Sequence, residues 1–150
     1  MTFLIKPYQV LNNARNVNTA ILLNQVLDDD ASIGVFWAGS IPYYTRRKAI
    51  DFLGKSDRRL SRRAPDLVWT YRGTGMRTLP GHNKYDLTDS IMGRRPTYAQ
   101  GFVWGRQNLY AWGRIHYKRF LYLGLEMPLL KGSPHVRWEK VDGAARLWDD

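Results

Sequence analysis

The stretch SIGVFWAGSIPYYTRRKAIDFLGKSD, residues 32–57, decides the fold. Its first part, residues 32–38, is an apolar run closed by Gly39, and a second short run, residues 48–53, is closed by Gly54. Short apolar runs that end at glycine and lead into polar loops are typical of buried parallel strands. The stretch therefore predicts two parallel strands whose carboxyl ends carry ligand-binding loops.

The segments on either side alternate between helix and strand. Apolar spacing predicts helices over residues 12–27 and 85–93 and a third strand over residues 97–104. Residues 109–123 fit either a helix or a strand, and residues 136–141 fit a last edge strand. This order predicts an α/β fold with a small, mainly parallel sheet of three to five strands flanked by helices.

The chain length of 150 residues suits one domain with its own core. We expect a lead-in segment over residues 1–11, which Pro7 interrupts, a single α/β domain over residues 12–150 and a flexible loop over residues 72–80. No run approaches the ~20 apolar residues of a membrane span. The expectation is a soluble chain, in which any membrane link comes from residues outside it.

The amino-acid composition disfavours a metal or cofactor site. The chain has no cysteine and three histidines, His82, His116 and His135, which lie far apart in the sequence. A zinc site would need all three and a carboxylate, and none of them stands four residues from another. We therefore predict no metal and no cofactor.

The net charge of +10 favours anionic partners, which are phosphates, acidic lipid headgroups or nucleic acid. Residues 46–63 hold eight basic residues and two acids, with Tyr43, Tyr44 and Trp69 nearby. Such a run can follow a nucleic-acid backbone with stacking rings, but it is more often a solvated face. Nucleic acid is thus the less favoured partner, and the composition does not exclude it.

The GKS tripeptide at residues 54–56 is similar to the end of a phosphate-binding loop. The full pattern requires a glycine five residues earlier, where this chain has Ala49, so a nucleoside triphosphate site is disfavoured. A milder hypothesis is that backbone N–H groups and Lys55 hold some anion at the end of the second strand.

Three polar side chains near the strand ends are open to two interpretations each. Asp51 and Asp57 are candidates for acid–base chemistry, but the favoured interpretation is that they cap turns and pair with nearby arginines. His82 lies in a Pro-Gly turn before a helix. In the functional interpretation it donates a proton or binds a sugar hydroxyl or a phosphate, and in the structural one its hydrogen bonds anchor the loop.

Three segments together resemble a known family. They are FWAGSIPYYTRRKAIDFLGKSD, LPGHNKYDLTDSI and PTYAQGFVWG, and they are similar to the C-terminal extracytoplasmic domain of polytopic bacterial membrane glycosyltransferases. These enzymes are arabinofuranosyltransferase-like and mannosyltransferase-like, and they depend on lipid-phosphosugars. The shared motif residues are Ala38, Gly39, Pro42 and Tyr43; Asp51, Leu53, Gly54 and Asp57; and Gly81, His82 and Lys84.

The resemblance implies an accessory domain, because the family's catalytic carboxylate is expected between membrane helices that these 150 residues lack. It does not imply that the isolated chain is an enzyme, so no residue is assigned a catalytic role. The residues expected to bind a glycan acceptor or a polyprenyl-phosphate sugar are Tyr43, Asp51, Lys55, Asp57, His82 and Lys84.

The resemblance also implies the extracytoplasmic (periplasmic) face of a bacterial membrane, beside an anionic membrane surface. If the resemblance to these membrane enzymes does not hold, a cytoplasmic location is expected. Two alternatives from other classes stay open, a basic nucleic-acid-binding protein and a stand-alone soluble enzyme that acts on a sugar or phosphate.

Overall fold

A computed structural model of the chain describes residues 8–68, 81–141 and 145–146. The α-helices are α1 (Tyr8–Val26), α2 (Ser40–Thr45) and α3 (Tyr110–His116). The strands are β1 (Ser32–Val35), β2 (Lys48–Asp51), β3 (Tyr98–Ala99), β4 (Val103–Trp104), β5 (Gln107–Asn108), β6 (Tyr117–Tyr122), β7 (Leu125–Leu130) and β8 (Ala145–Arg146). A π-helix covers Thr88–Gly93, and 3-10 helices cover Leu60–Arg62 and Trp138–Lys140.

The main sheet has six strands in the order β2-β1-β3-β7-β6-β8, and β4 and β5 form a separate hairpin. β1 pairs in parallel with both β2 and β3. The remaining pairings, β3 with β7, β7 with β6 and β6 with β8, are antiparallel. The predicted α/β class and single domain are confirmed, and the sheet is mixed, with a parallel half and an antiparallel half.

Two apolar clusters form the core. One packs α1 and α2 onto the sheet and includes Leu23, Ile33, Phe120 and Met127. Since alternate residues of a strand face opposite sides, the second cluster lies on the other face, where Ile50, Phe52, Ile91, Phe102 and Tyr117 meet. The sheet is therefore covered on both sides, as a sheet with a parallel half requires.

Because residue 34 in β1 is a glycine, the ring of Phe52, which follows β2, packs directly against the β1 backbone. A Cβ on Gly34 would lie 2.2 Å from the ring of Phe52 and 2.9 Å from Pro96. The Phe52 ring thus crosses directly over β1. This contact fixes the start of the loop after β2, because Phe52 is the first residue beyond that strand.

Three aspartates follow α1 at residues 28–30, and two of them, Asp28 and Asp29, lie beside the basic groups His135 and Arg47. Carboxylates at a helix C-terminus are unfavourable for the helix dipole, and cations there are favourable. The buried Arg47 donates to the carbonyl oxygens of Leu27 at 2.8 Å and Asp28 at 2.6 Å. His135 Nδ1 lies 3.0 Å from Asp28 Oδ2, and this hydrogen bond holds the pKa of Asp28 below its ordinary value. These basic groups compensate for the acidic helix end.

Two strand predictions are wrong. The expected strand over residues 97–104 divides into β3 in the main sheet and β4 in the hairpin. The Gln100 N–H makes a last bond to the Gly34 carbonyl oxygen of β1, and beyond it the Gln100 side chain, not its backbone, accepts from the Phe36 N–H. The expected edge strand over residues 136–141 is a 3-10 helix at Trp138–Lys140, and Val136 makes only an isolated bridge with Leu27.

Other boundaries also differ. α1 begins at Tyr8, so residues 8–11 of the expected lead-in are helical. The helix predicted over residues 85–93 is a π-helix at Thr88–Gly93, and residues 109–123 contain both α3 and β6. The loop predicted over residues 72–80 lies outside the described residues.

Candidate functional site

The carboxyl ends of β1, β2 and β3 meet at one edge of the sheet, because these strands are parallel. β1 lies between the other two, so the chain leaves it toward β2 and later returns on its opposite side as β3. Ligands of α/β sheets bind outside the carboxyl ends of the strands at such a switch point. The loops after these strands therefore form the first place to look for a site.

Asp51, at the end of β2, organises its own loop. This carboxylate is buried, and its Oδ1 accepts a hydrogen bond from the Leu53 N–H at 3.0 Å. Its Oδ2 accepts from the Ser56 N–H at 2.7 Å and from the Ser56 hydroxyl at 3.0 Å. Within the GKS tripeptide the Ser56 N–H is therefore engaged by this side chain, and the Gly54 N–H bonds the Asp51 carbonyl oxygen at 3.2 Å. The hypothesis that Lys55 and this strand end hold an external anion stays a prediction.

Asp57 is engaged in a second polar network. Its Oδ1 accepts from the N–H groups of Arg59 and Leu60, and its Oδ2 lies 2.5 Å from Arg94. Partial burial acts to raise the pKa of Asp57, but the hydrogen bonds from Arg94 and from the two N–H groups outweigh it and hold the pKa below its ordinary value. Arg94 also pairs with Asp89 at 3.1 Å. The favoured interpretation of Asp57, a cap paired with an arginine, is confirmed.

Lys84 also serves the loop architecture. Its Nζ donates to the carbonyl oxygen of Ser61 at 2.8 Å, which ties the segment after His82 to the 3-10 helix Leu60–Arg62. The ammonium group therefore lies against the backbone of that 3-10 helix.

Lys55 and His82, which are 27 residues apart in sequence, meet at the carboxyl edge. The Nζ of the exposed Lys55 lies 2.9 Å from His82 Nε2. An ammonium group has protons to donate and no acceptor, so the histidine nitrogen accepts and carries no proton in this geometry. The pair presents an exposed cation, for which His82 is the hydrogen-bond partner found among residues 8–68 and 81–141.

Two tryptophans complete what we call the carboxyl-edge cluster, defined as Trp37, Lys55, His82 and Trp104. The Trp37 ring packs edge-to-face on His82 at 5.5 Å and on Trp104 at 5.9 Å between centroids. The Trp104 indole N–H donates to the carbonyl oxygen of His82 at 2.9 Å. Trp37 is 46% exposed, which is unusual for a large ring and offers a surface to a ligand.

Gln100, the first residue after β3, positions Trp37. Its Oε1 accepts from the N–H groups of Phe36 at 2.8 Å and Trp37 at 3.2 Å. Its Nε2 lies 3.4 Å from Asn16 Oδ1 on α1. The side-chain amide thus substitutes for a continued parallel ladder and fixes the backbone that carries the exposed ring.

The sequence analysis identified two members of the carboxyl-edge cluster and missed the other two. Lys55 and His82 were predicted site residues, whereas Trp37 was assigned to a buried strand and Trp104 to a third one. No signal in the sequence separates Trp37 from the strand, because the apolar run continues to Ala38 and only the structure shows that β1 ends at Val35. Gln100 likewise falls within the predicted strand over residues 97–104, whereas β3 ends at Ala99.

Tyr43 lies elsewhere. It is 74% exposed on α2, and its ring packs edge-to-face on Tyr44 at 5.0 Å. Among the described residues, no hydrogen bond or ring contact joins Tyr43 to Lys55 or His82. The six predicted site residues therefore divide: Lys55 and His82 lie together, Asp51, Asp57 and Lys84 support the loops, and Tyr43 stands apart.

A cleft of about 400 Å³ lies beside the π-helix and the β4–β5 hairpin. The Tyr85 hydroxyl donates to Asp66 in its wall, and Arg106 Nε lies 3.0 Å from the same carboxylate. Burial and then this carboxylate raise the pKa of Tyr85. The polar groups of the cleft thus bond to one another, and they hold the turn of the hairpin that presents Trp104.

Several basic side chains of residues 46–63 are buried or form ion pairs within the fold. Arg47 is buried, Arg59 pairs with Asp89 at 2.8 Å and Arg63 pairs with Asp86 at 2.6 Å. These pairings reduce the charge offered to a nucleic-acid backbone. Nucleic-acid binding stays a prediction that no observation tests.

Within residues 8–68 and 81–141, no three histidine or carboxylate side chains come together in a way that could hold a metal ion. No helix in these ranges is both long and apolar enough to cross a bilayer.

Comparison of the chain with protein families, curated proteins and solved structures gives a match to one family model. No curated protein matches the chain, and no solved structure matches it. A family model described as a domain of unknown function, DUF8728, matches residues 8–141, which include both core clusters and the whole carboxyl-edge cluster. The chain therefore belongs to the DUF8728 family.

Proposed function

We propose that the carboxyl-edge cluster binds a sugar that carries an anionic group, such as a phosphosugar. The observation that carries this proposal is the half-exposed ring of Trp37, held beside the Lys55–His82 pair at the switch point of the sheet. This arrangement offers a flat apolar surface and a cation within one small area.

The ring supplies affinity for a sugar through contact with the apolar C–H face of a pyranose or furanose. Aromatic side chains bury large apolar areas and hold them with few rotatable bonds. The Trp37 backbone is fixed by Gln100, and its ring by His82 and Trp104. Little conformational entropy is therefore lost on binding, which favours affinity.

The cation supplies selectivity for an anionic group. Lys55 is exposed and donates one hydrogen bond to His82. An ammonium group has three N–H donors, and within the described part of the chain one of them is used, which leaves donors for phosphate oxygens. The net charge of +10 adds a long-range attraction for such a ligand.

The geometry favours binding over catalysis. Asp51 and Asp57, the candidate acid–base groups, both use their carboxylates to hold backbone N–H groups. A domain that holds a phosphosugar for a membrane-embedded glycosyltransferase centre fits this division, and the resemblance to such enzymes supports it. That role, and an extracytoplasmic location beside an anionic membrane, are part of this proposal.

The test is a titration of ¹⁵N-labelled protein with a hexose 1-phosphate, its parent hexose and inorganic phosphate, followed by amide and indole N–H shifts. We expect the phosphosugar to shift the Trp37 and Trp104 indole signals at the lowest concentration, with each fragment binding more weakly. Trp37→Ala and Lys55→Ala should each weaken binding about tenfold, since each removes one of the two recognition elements.

Two matched controls sharpen the test. Tyr43→Ala removes an exposed ring outside the carboxyl-edge cluster, and Lys48→Ala removes an exposed lysine at the amino end of β2. Both should bind like the unchanged protein. Absence of any shift at millimolar phosphosugar, or equal losses in the control variants, would contradict the proposal.

A further inference from the structure

We infer that Arg58 and Arg62 form a second anion subsite beside the carboxyl-edge cluster, and that the ligand is therefore a sugar joined through a diphosphate. The inference rests on the proposed function, because it extends the same site by one phosphate. Its basis is the way in which the structure divides the arginines of residues 58–63 and places two of them next to Lys55.

Four arginines lie within these six residues, and they form two pairs with different surroundings. Arg59 and Arg63 bind carboxylates at and just before the π-helix, at 2.8 Å and 2.6 Å, and hold the segment in place. Arg58 and Arg62 are exposed, and neither forms an ion pair with a carboxylate among the residues that the structure describes. Two arginine charges are thus presented at the surface on a backbone that is held.

Arg58 and Arg62 lie about one helical turn apart. The Ser61 N–H donates to the Asp57 carbonyl oxygen at 2.9 Å, and the Ser61 hydroxyl donates to the Arg58 carbonyl oxygen at 3.0 Å. Residues four apart on such a turn are neighbours, with Cβ atoms about 5–6 Å apart. The two guanidinium groups can therefore reach the oxygens of one phosphate group.

This turn lies directly against the loop that carries Lys55. Gly54 has a φ of 69°, and a Cβ there would lie 2.8 Å from the Cβ of Leu60 and 3.1 Å from the backbone nitrogen of Ser61. Only glycine fits so close an approach with a left-handed backbone. Since Lys55 is the next residue, its backbone begins beside the arginine turn.

The segment that carries His82 reaches the same turn. Lys84, two residues further on, donates from Nζ to the Ser61 carbonyl oxygen at 2.8 Å. Both members of the lysine–histidine pair therefore stand on loops that lie against Ser61, the residue before Arg62. The proposed sugar site and the two exposed arginines are thus parts of one surface.

The carboxylate that lies between these cations in sequence is neutralised. The Asp57 side chain is 11% exposed, and its Oδ2 lies 2.5 Å from Arg94. Its Oδ1 accepts from two backbone N–H groups. An anion that approaches residues 55–62 therefore meets Lys55, Arg58 and Arg62 and no unpaired carboxylate within that segment.

A diphosphate fits this arrangement better than a single phosphate. Lys55 Nζ is held at His82, which packs against the ring of Trp37, so a phosphate at this point is the one next to the sugar. The arginines stand on the following turn, where the second phosphate of a diphosphate ester would lie. A guanidinium group binds phosphate oxygens through two parallel N–H bonds, which favours a fixed terminal or bridging phosphate.

Matched ligands test the second subsite in calorimetric titrations of the full chain. Hexose 1-diphosphate should bind about tenfold more tightly than hexose 1-phosphate. A hexose bisphosphate, with its second phosphate on the far side of the ring, should bind like hexose 1-phosphate. Binding of hexose 1-phosphate without a gain from the diphosphate, or an equal gain from the bisphosphate, would overturn this inference alone. Absence of binding by all three would overturn the proposed function as well.

Arginine variants locate the subsite. Arg58→Gln and Arg62→Gln should each weaken hexose 1-diphosphate binding about threefold, and the double variant about tenfold. Arg46→Gln is the control, because it removes the same charge from an exposed arginine that precedes the amino end of β2. Hexose 1-phosphate should bind the double variant and the control alike. Full diphosphate binding by the double variant, or an equal loss in the control, would contradict the assignment.

Two further ligands distinguish the sources of a diphosphate-linked sugar. A nucleoside diphosphate hexose is the soluble form, and a polyprenyl diphosphate hexose in phosphatidylcholine vesicles is the membrane form. Displacement of hexose 1-diphosphate by either form supports the inference, and the tighter of the two identifies the source. Failure of both to displace hexose 1-diphosphate would overturn the assigned ligand class.

Discussion

The two halves of the main sheet are stabilised in different ways. In the parallel half, β1, β2 and β3 are two to four residues long, and side chains such as Asp51 and Gln100 hold the loops that follow them. In the antiparallel half, β6 and β7 pair over six residues each, and Phe120, Met127 and Leu129 pack in the cluster that includes α1. Side-chain hydrogen bonds fix the loops that follow the parallel strands, while both halves place apolar side chains in the core clusters.

This difference gives the two halves of the sheet different roles. Apolar packing is non-directional and scales with buried area, so the antiparallel half supplies stability without specifying loop conformation. Hydrogen bonds from side chain to backbone are directional and fix the loops that present Trp37 and Lys55. The parallel half therefore carries the candidate site while the antiparallel half supports it.

The largest effect is expected in the apolar half. Met127→Ala removes a fully buried side chain between the hairpin and α1, and it should lower the free energy of unfolding by about 2–5 kcal/mol. Urea unfolding followed by circular dichroism measures the loss. Met127→Leu conserves most of the volume and should cost less than about 1.5 kcal/mol. Equal losses in the two variants would show that packing volume is not what holds this half.

A somewhat smaller effect is expected at the end of β2. Asp51→Ala leaves the N–H groups of Leu53 and Ser56 without their acceptor, which should cost about 2–3 kcal/mol. Ser56→Ala removes only the hydroxyl bond and should cost about 1 kcal/mol. Because the loop presents Lys55, Asp51→Ala should also weaken phosphosugar binding. A loop that retains full stability and binding would show that Asp51 does not organise it.

The smallest effect depends on pH. The Asp57 carboxylate has a lowered pKa in the fold, so its pairing stabilises the protein above the ordinary aspartate pKa of ~3.9 and is lost as pH falls through the lowered value. Asp57→Asn keeps the cap acceptor but loses the charge opposite Arg94, at a cost of about 1 kcal/mol at pH 7. The stability difference from the unchanged protein should shrink in acid. A difference that does not shrink as the pH falls below the ordinary aspartate pKa would contradict this account.

Local patterns predicted the parallel half well and the antiparallel half poorly. Apolar runs closed by Gly39 and Gly54 located β1 and β2, since strand ends at glycine are encoded within a few residues. The run over residues 120–130 gave no such signal, because Glu126 and Pro128 break its period and both lie within β7. β7 forms because it pairs with β6 and β3 across the sheet, and the local sequence does not encode these pairings.

The candidate site shows the same limit. Lys55 and His82 stand in polar loops and were predicted on that ground, but nothing local brings them to 2.9 Å. Asp51 was one candidate among several carboxylates until its burial and its bonds to Leu53 and Ser56 assigned it to the loop. Trp37 looked like part of a strand because an apolar ring has the same sequence signature whether it is buried or exposed.

Local patterns in the chain were enough to predict the α/β class, the basic character and the glycine-closed strands that place polar loops at one edge. They did not predict that the sheet is mixed, which carboxylates hold the loops, or that two tryptophans join Lys55 and His82 in one cluster. The two sets of features differ in the sequence separation of the contacts on which they depend. Propensity, periodicity and turn chemistry act over a few residues, whereas the site depends on contacts between segments that are tens of residues apart and meet only when the whole core has formed.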